Sequence, residues 1–181
     1  AHRSPTLNEL HRGFRAGNTV TNANPLLTPE HLTGFEGGLS LFRGPSSVRV
    51  TAFASRLSDG VTNVTIQSSP AQIVRQRQNT DTVRAAGIEL EAGFRLGRSL
   101  SVTGLGVVTA SRFVRTPAQP DLAGKIIPQV PRYQIGGSLT WADSGIAAIT
   151  ADARALGAQF EDDQNTLVLR RFMVVDLSAT R

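Results

Sequence analysis

The residues best suited to chemistry in this chain are few and poorly spaced for it. His2, His11 and His31 are its only histidines, and none follows the i, i+4 arrangement with an intervening Glu that brings two imidazoles onto one metal. Glu89 and Glu91 sit two apart, a spacing that puts both carboxylates on one side of an extended chain, where acid and base roles need such a pair. The simpler reading is a solvated face whose charges are balanced by Arg95 or a neighbouring strand. The run Glu161-Asp162-Asp163-Gln164-Asn165 has oxygen ligands for calcium but lacks the Gly and the terminal Glu of an EF-hand loop, and reads as a solvated loop. No GxSxG elbow, phosphate loop or dinucleotide fingerprint stands in context, and Gly104-Leu105-Gly106 lies inside a strand pattern, where small residues serve packing or curvature. The expectation is a protein that is not an enzyme, with no catalytic residues, no metal ligands and no cofactor.

What the chain does possess is a rhythm. From Tyr133 to Trp141 apolar residues (Tyr133, Ile135, Leu139, Trp141, with Gly137) alternate with Gln134, Gly136, Ser138 and Thr140. After the turn residues Asp143, Ser144 and Gly145 the alternation resumes, with Ala147, Ile149, Ala151, Ala153 and Ala155 opposite Thr150, Asp152 and Arg154. Side chains of a strand point alternately to opposite faces, so each arm has one oily and one wet face, and the pair reads as an antiparallel hairpin. A strand of about 10 residues rising about 3.3 Å each, tilted about 45°, climbs roughly 23 to 25 Å, close to the apolar band of a bacterial outer membrane. Strands of soluble sandwiches are shorter, about five or six residues.

The same pattern predicts strands at about 32–43, 47–58, 83–96, 100–112, 131–141, 146–158 and 171–181, with residues 1–30 as an extracellular loop of one partial barrel domain. Register is best specified at 88–96, where Ile88, Leu90, Ala92, Phe94 and Leu96 oppose Glu89, Glu91, Gly93 and Arg95. A slip of one residue would turn three charges into the apolar phase. Residues 100–111 are less decisive, because Leu105 and Val107 fall on the wet face.

Composition narrows the class further. A chain that is 40% hydrophobic and 18% charged is too apolar for disorder, and no run of 18 apolar residues is present to make a membrane helix. There is no cysteine, hence no disulfide framework or thiolate metal site. The net charge of +5 is spread along the chain, with no basic helix and no series of stacking aromatics, so nucleic acid is not an expected partner. Aromatics make up only 6% of the chain, which is low for the aromatic girdles of membrane barrels.

The connections decide between a sandwich and a barrel. Short turns at 43–46, 97–99 and 142–145 alternate with long polar segments at about 58–82, 112–130 and 159–170. In an up-and-down sheet this places all short turns at one end and all long loops at the other, the asymmetry of outer-membrane barrels. The predicted fold is therefore all-β, an antiparallel meander of about seven long strands forming part of a transmembrane barrel. Single-chain bacterial barrels have an even strand number, and the chain begins with Ala1 rather than Met, so a piece of something longer is expected.

Particular words in the sequence agree with the rhythm. Pro5-Thr6-Leu7-Asn8-Glu9-Leu10, then Gly17-Asn18, then Asn24-Pro25-Leu26-Leu27-Thr28-Pro29-Glu30 leading into Phe35-Glu36-Gly37-Gly38-Leu39, resemble the PTLNEL and NPxLxPE segments of TonB-dependent receptors. Gly87-Ile88-Glu89-Leu90-Glu91 after Arg84 resembles that family's RxxGxE strand, and Ile127-Pro128-Gln129-Val130-Pro131-Arg132-Tyr133 its PxxPR strand entry. The resemblance implies a late portion of a plugged barrel of about 22 strands, without its plug domain, TonB box and last strands. It implies active uptake of a scarce nutrient such as siderophore-iron. The implied partners are outer-membrane lipid, a small-molecule nutrient such as a metal chelate, and the TonB complex through a missing N-terminal region. The implied location is the outer membrane of a Gram-negative bacterium. In that reading Arg15, Arg75, Arg77 and Asp162 are candidate ligand-binding residues of loops and lumen. The alternatives are a structural or enzymatic outer-membrane barrel and a soluble β-sandwich binding module.

Overall fold

The computed structural model describes residues 1–181 except 117, 118 and 144, and except the side chains of 80 and 81. Ser144, the middle of the expected 142–145 turn, thus lies outside the described residues, as do 117 and 118 of the expected 112–130 loop. Seven long strands form one antiparallel meander: β4 (Glu30–Arg43), β5 (Ser46–Ser68), β6 (Ile73–Leu96), β7 (Leu100–Arg115), β8 (Tyr133–Asp143), β9 (Ala147–Leu156) and β12 (Phe172–Thr180). Five short strands accompany them: β1 (His2–Arg3), β2 (Phe14–Ala16), β3 (Thr19–Asn22), β10 (Gln159–Phe160) and β11 (Val168–Leu169). Among the described residues the helical elements are the short helix α1 (Leu7–His11) and a 3-10 turn at Pro120–Leu122. The sheet is open, with β4 and β12 as the long edge strands, and the other sheet among the described residues is only the two-stranded β10/β11 pair, too small to cover it as a sandwich requires.

Register carries each face across the whole sheet. One row runs Leu39, Val50, Leu90, Gly106, Ile135, Ala155, Met173, apolar or glycine in all seven strands. The row beside it runs Ser40, Arg49, Glu91, Leu105, Gly136, Arg154, Val174. The first face is bare: Leu39 is 78% exposed and Leu177 77%. Among the described residues the buried hydrophobic side chains are only Leu27, Val64, Phe113 and Leu122. A sheet with its oily face outward and a minimal interior is what a lipid-facing barrel wall needs and what a water-soluble sheet avoids. The second face explains Leu105 and Val107: register sets them opposite Glu91 and Glu89, on the charged side.

The long connection expected over 58–82 is not a loop. β5 and β6 run 23 and 24 residues and stay paired from Ser47↔Gly93 to Ser68↔Ile73, with one bulge between Thr65 and Gln67. The reversal takes only Ser69–Gln72, where the Ser69 amide donates to the Gln72 carbonyl (2.9 Å). The apolar alternation of β5 stops near residue 58, and beyond it neither face of the hairpin carries a continuous oily row. Backbone pairing and β-branched residues such as Val61, Thr62 and Thr65 then suffice to extend the strand. Residues 1–30 are likewise more ordered than a loop: β1 pairs with β4, β2 with β3, and β3 lies parallel to β6 at Thr19↔Ile73 through Asn22↔Gln76. The connections at 116–132 and 157–171 are the long ones, and they leave from the same end as the projecting hairpin.

Candidate functional site at the long-loop end

Four segments converge at that end: residues 1–29, the β5/β6 hairpin, residues 116–132 and residues 157–171. The first is built from a local signal. Thr6 caps α1 by accepting from the Glu9 amide (3.3 Å) while the Glu9 carboxylate accepts from the Thr6 amide (2.7 Å), a capping box of the T-x-x-E type. Arg3 then bridges two acids, reaching Glu9 at 3.0 Å and, through Nε, Glu30. Glu30 also accepts from the Val61 amide, so the start of β4 is tied to the hairpin.

These contacts set charge states. The Arg3 hydrogen bond, reinforced by the Thr6 amide and hydroxyl, lowers the Glu9 pKa to about 2 from an ordinary 4.5. Glu30 and Glu9 together hold Arg3 protonated beyond its ordinary range. A carboxyl depressed in the folded state stabilises above its unfolded pKa and loses that contribution as pH falls through the folded value. Docking of residues 1–12 is thus expected to be undiminished above pH about 4.5 and to weaken toward pH 2. Hydrogen exchange of the Glu9 and Leu10 amides, corrected for intrinsic rates, checks this; protection that stays flat down to pH 2 would contradict it.

Asparagines join the first segment to the hairpin. Asn79 donates to the Thr28 carbonyl (3.0 Å) and to the Asp59 carbonyl and accepts from the Thr28 amide (2.8 Å). Asn24 donates to the Arg77 carbonyl at 2.9 Å. The fourth segment is held similarly. Asp163, buried, accepts from the amide (3.0 Å) and hydroxyl (2.9 Å) of Thr65, ninety-eight residues away. Asn165 accepts from the Ile126 amide (2.8 Å) and donates to its carbonyl (2.9 Å). Beneath this lies the small core of Val64, Phe113 and Leu122, with Val83 and Ile127 against it.

The four candidate ligand residues occupy different situations. Arg77 is spent on structure: its Nη1 donates to the carbonyls of Asn8 (2.6 Å) and Arg12 (2.9 Å), and its guanidinium lies 5.4 Å from the centre of the Phe14 ring. Asp162 caps its own turn, accepting from the Thr166 amide and hydroxyl (both 2.9 Å) and the Leu167 amide (2.7 Å). Burial pushes its carboxyl up, but these bonds outweigh it and the net direction is down. Arg15 is exposed, with Nε donating to the Gly17 carbonyl at 3.0 Å. Arg75 stands between Thr21 of β3 and Thr65 of β5, and its Nε is buried without a hydrogen bond. Because Asp163 holds Thr65, residues 162–163 and Arg75 are drawn to one neighbourhood, while Arg15 and Arg77 belong to the N-terminal segment.

Sequence reading missed Glu9, Asn79, Asp163 and Asn165 as the residues that assemble this end. Only the Thr6–Glu9 spacing carried a local signal; the other three act across long separations. Among the described residues no group of three or more His, Cys, Asp or Glu is placed to hold a metal ion. His2 and His31 face each other across β1 and β4.

Comparison with known proteins agrees with this architecture. The sequence model of the family described as TonB dependent receptor-like, beta-barrel matches residues 1–181. Among solved structures, the ferric yersiniabactin uptake receptor FyuA from Yersinia pestis is 22% identical with a TM-score of 0.67, over 84% of this chain and 22% of that one. The copper transporter OprC is 17% identical with a TM-score of 0.73, over 99% of this chain and 27% of that one. A ferric enterobactin receptor from Pseudomonas aeruginosa is 15% identical with a TM-score of 0.68, over 99% and 29%. The chain therefore spans less than a third of the length of each of these structures. No match was found among curated proteins. With its bare apolar rows, charged inner rows and loops gathered at one end, the chain belongs to the TonB-dependent receptor-like β-barrel family.

Proposed function

We propose that this chain is a wall segment of a receptor that takes up a scarce nutrient, a metal chelate such as siderophore-iron, across the outer membrane of a Gram-negative bacterium. Energy comes from the TonB complex in this reading, through a part of the receptor outside the segment. The observation that carries the proposal is the family match over all 181 residues, and the uptake receptors and copper transporter of similar fold support it. The long-loop end faces the exterior, where it meets ligand before passage.

Within the site Arg75 is the residue proposed to meet an anionic chelate, since its Nε is buried and unbonded, and Arg15 is a second, exposed contact. Arg77 and Asp162 act instead by holding the loops that frame it. The test is uptake of labelled ferric chelates by a receptor-deficient strain expressing the whole receptor, with and without TonB. TonB-dependent accumulation of one chelate is expected, and Arg75→Ala should weaken its binding about tenfold, the loss of one charged hydrogen bond of about 1.5 kcal/mol. No chelate, vitamin or sugar accumulating above the deficient strain would overturn the uptake reading.

A further inference from the structure

Arginines that the candidate site does not use form a line. Arg56 of β5 lies directly opposite Arg84 of β6, and Arg84 directly opposite Arg112 of β7. They stand two residues beyond Ala54, Ala86 and Ala110, themselves one row, and so share the outer apolar face with Ile88 and Leu90. All three are exposed. The line is flanked by Thr33 beside Arg56 and Ile126 beside Arg112, neither of them acidic. No ion pair between described side chains includes any of the three. Arg56 donates to the Thr82 hydroxyl and Arg112 to the Gly124 carbonyl, both at 3.3 Å and both uncharged acceptors.

Like charges directly opposite one another across strands repel, and here three strands in succession carry them. Their placement is also specific. Just below, a groove lined by Ile88, Val108, Ala110 and Ile126 carries Arg112 and Arg132 on its lining as well. A partner that suits both features has an anionic group at the level of the arginines and hydrocarbon beneath it. Guanidinium groups engage phosphate through paired N–H donors, which makes phosphate the matching anion.

We propose that Arg56, Arg84 and Arg112 bind the phosphorylated headgroup of a membrane lipid in the leaflet at the long-loop end, with its acyl chains on the apolar rows below. This rests on the membrane-spanning reading above. A free anion gains nothing from the groove, so the lipid is the source to which the site is assigned.

The whole receptor, purified in dodecyl maltoside, is titrated with a diphosphorylated acyl-glucosamine lipid and followed by native mass spectrometry. Wild type is expected to bind it in preference to phosphatidylcholine. R56Q/R84Q/R112Q should lose at least about tenfold in affinity, while R98Q, at the short-turn end, keeps wild-type binding. Should the triple variant fail to fold, R84Q alone is expected to show a smaller loss in the same direction. Equal binding by wild type and the variants would overturn the proposal, as would inorganic phosphate binding as tightly as the lipid, which would mark a free-anion site. Failure of the membrane reading is seen separately: the wild-type receptor would then stay monomeric without detergent and would not enter bilayers.

Discussion

Replacing Gly87 by valine is expected to cost about 3 kcal/mol or more and to deplete the folded barrel, the largest effect of any single change on the inner face. A Cβ built on Gly87 falls into the Val108 carbonyl oxygen and lies 2.6 Å from Cζ and 2.8 Å from Cε1 of Phe53. Phe53 and Gly87 are cross-strand partners, so the ring covers the glycine. The two clashes differ in kind. A ring can turn aside, but the carbonyl belongs to the neighbouring β7 ladder and yields only if β6 and β7 separate. Phe53→Ala is therefore expected to rescue little of the Gly87→Val defect. Urea unfolding of the whole receptor in detergent reads both changes, and full rescue by Phe53→Ala would show that the ring, not the backbone, sets the constraint. Gly38 is a parallel case on β4, its Cβ position lying 2.6 Å from the Val50 carbonyl oxygen.

Leu90→Arg should destabilise the barrel by about 2 to 4 kcal/mol, whereas Leu105→Arg should cost about 1 kcal/mol or less. The two leucines are almost neighbours: Leu90 pairs with Gly106, and Leu105 with Glu91. Neither is buried within the segment, at 46% and 61% exposed. Side-chain type and local exposure thus predict similar costs for the pair. The faces differ, because Leu90 belongs to the apolar row from Leu39 to Met173 and Leu105 to the row that includes Arg49, Glu91 and Arg154. In the membrane-spanning reading proposed above, a charge on the first must displace lipid, whereas on the second it joins other charges. Equal losses would mean that lipid does not cover the first face.

How much was legible follows from where the apolar rows stop. Inside the apolar band one residue in two must be oily, and that constraint writes strands such as 88–96 into the sequence with their register. Leu105 and Val107 blur the pattern because an inner face tolerates apolar residues even where polar ones dominate. Above the band the constraint lapses, which is why the 58–82 stretch reads as a loop although β5 and β6, of 23 and 24 residues, are the longest strands among the described residues. The loop-end scaffold was harder still. Asp163 on Thr65 and Asn79 on Thr28 join positions ninety-eight and fifty-one residues apart, and no local spacing announces either. Asp162 had the right residue type for a ligand contact, yet its oxygens are taken by Thr166 and Leu167. The arginine line emerges only from the register of three strands, since Arg56, Arg84 and Arg112 are scattered along the chain.

The most direct measurement is a cysteine scan of 86 to 94, leaving out Gly87 because a Cβ there meets the Val108 carbonyl, in the whole receptor reconstituted into lipid, each site labelled with a fluorophore and challenged with a lipid-borne and a water-borne quencher. This segment contributes no cysteine of its own, so any native cysteine to be removed beforehand lies elsewhere in the receptor. A period of two is expected: lipid-borne quenching at 86, 88, 90, 92 and 94, and water-borne quenching at 89, 91 and 93. Water-borne quenching at both sets alike would contradict it, because the face carrying Leu90 would then not lie against a membrane.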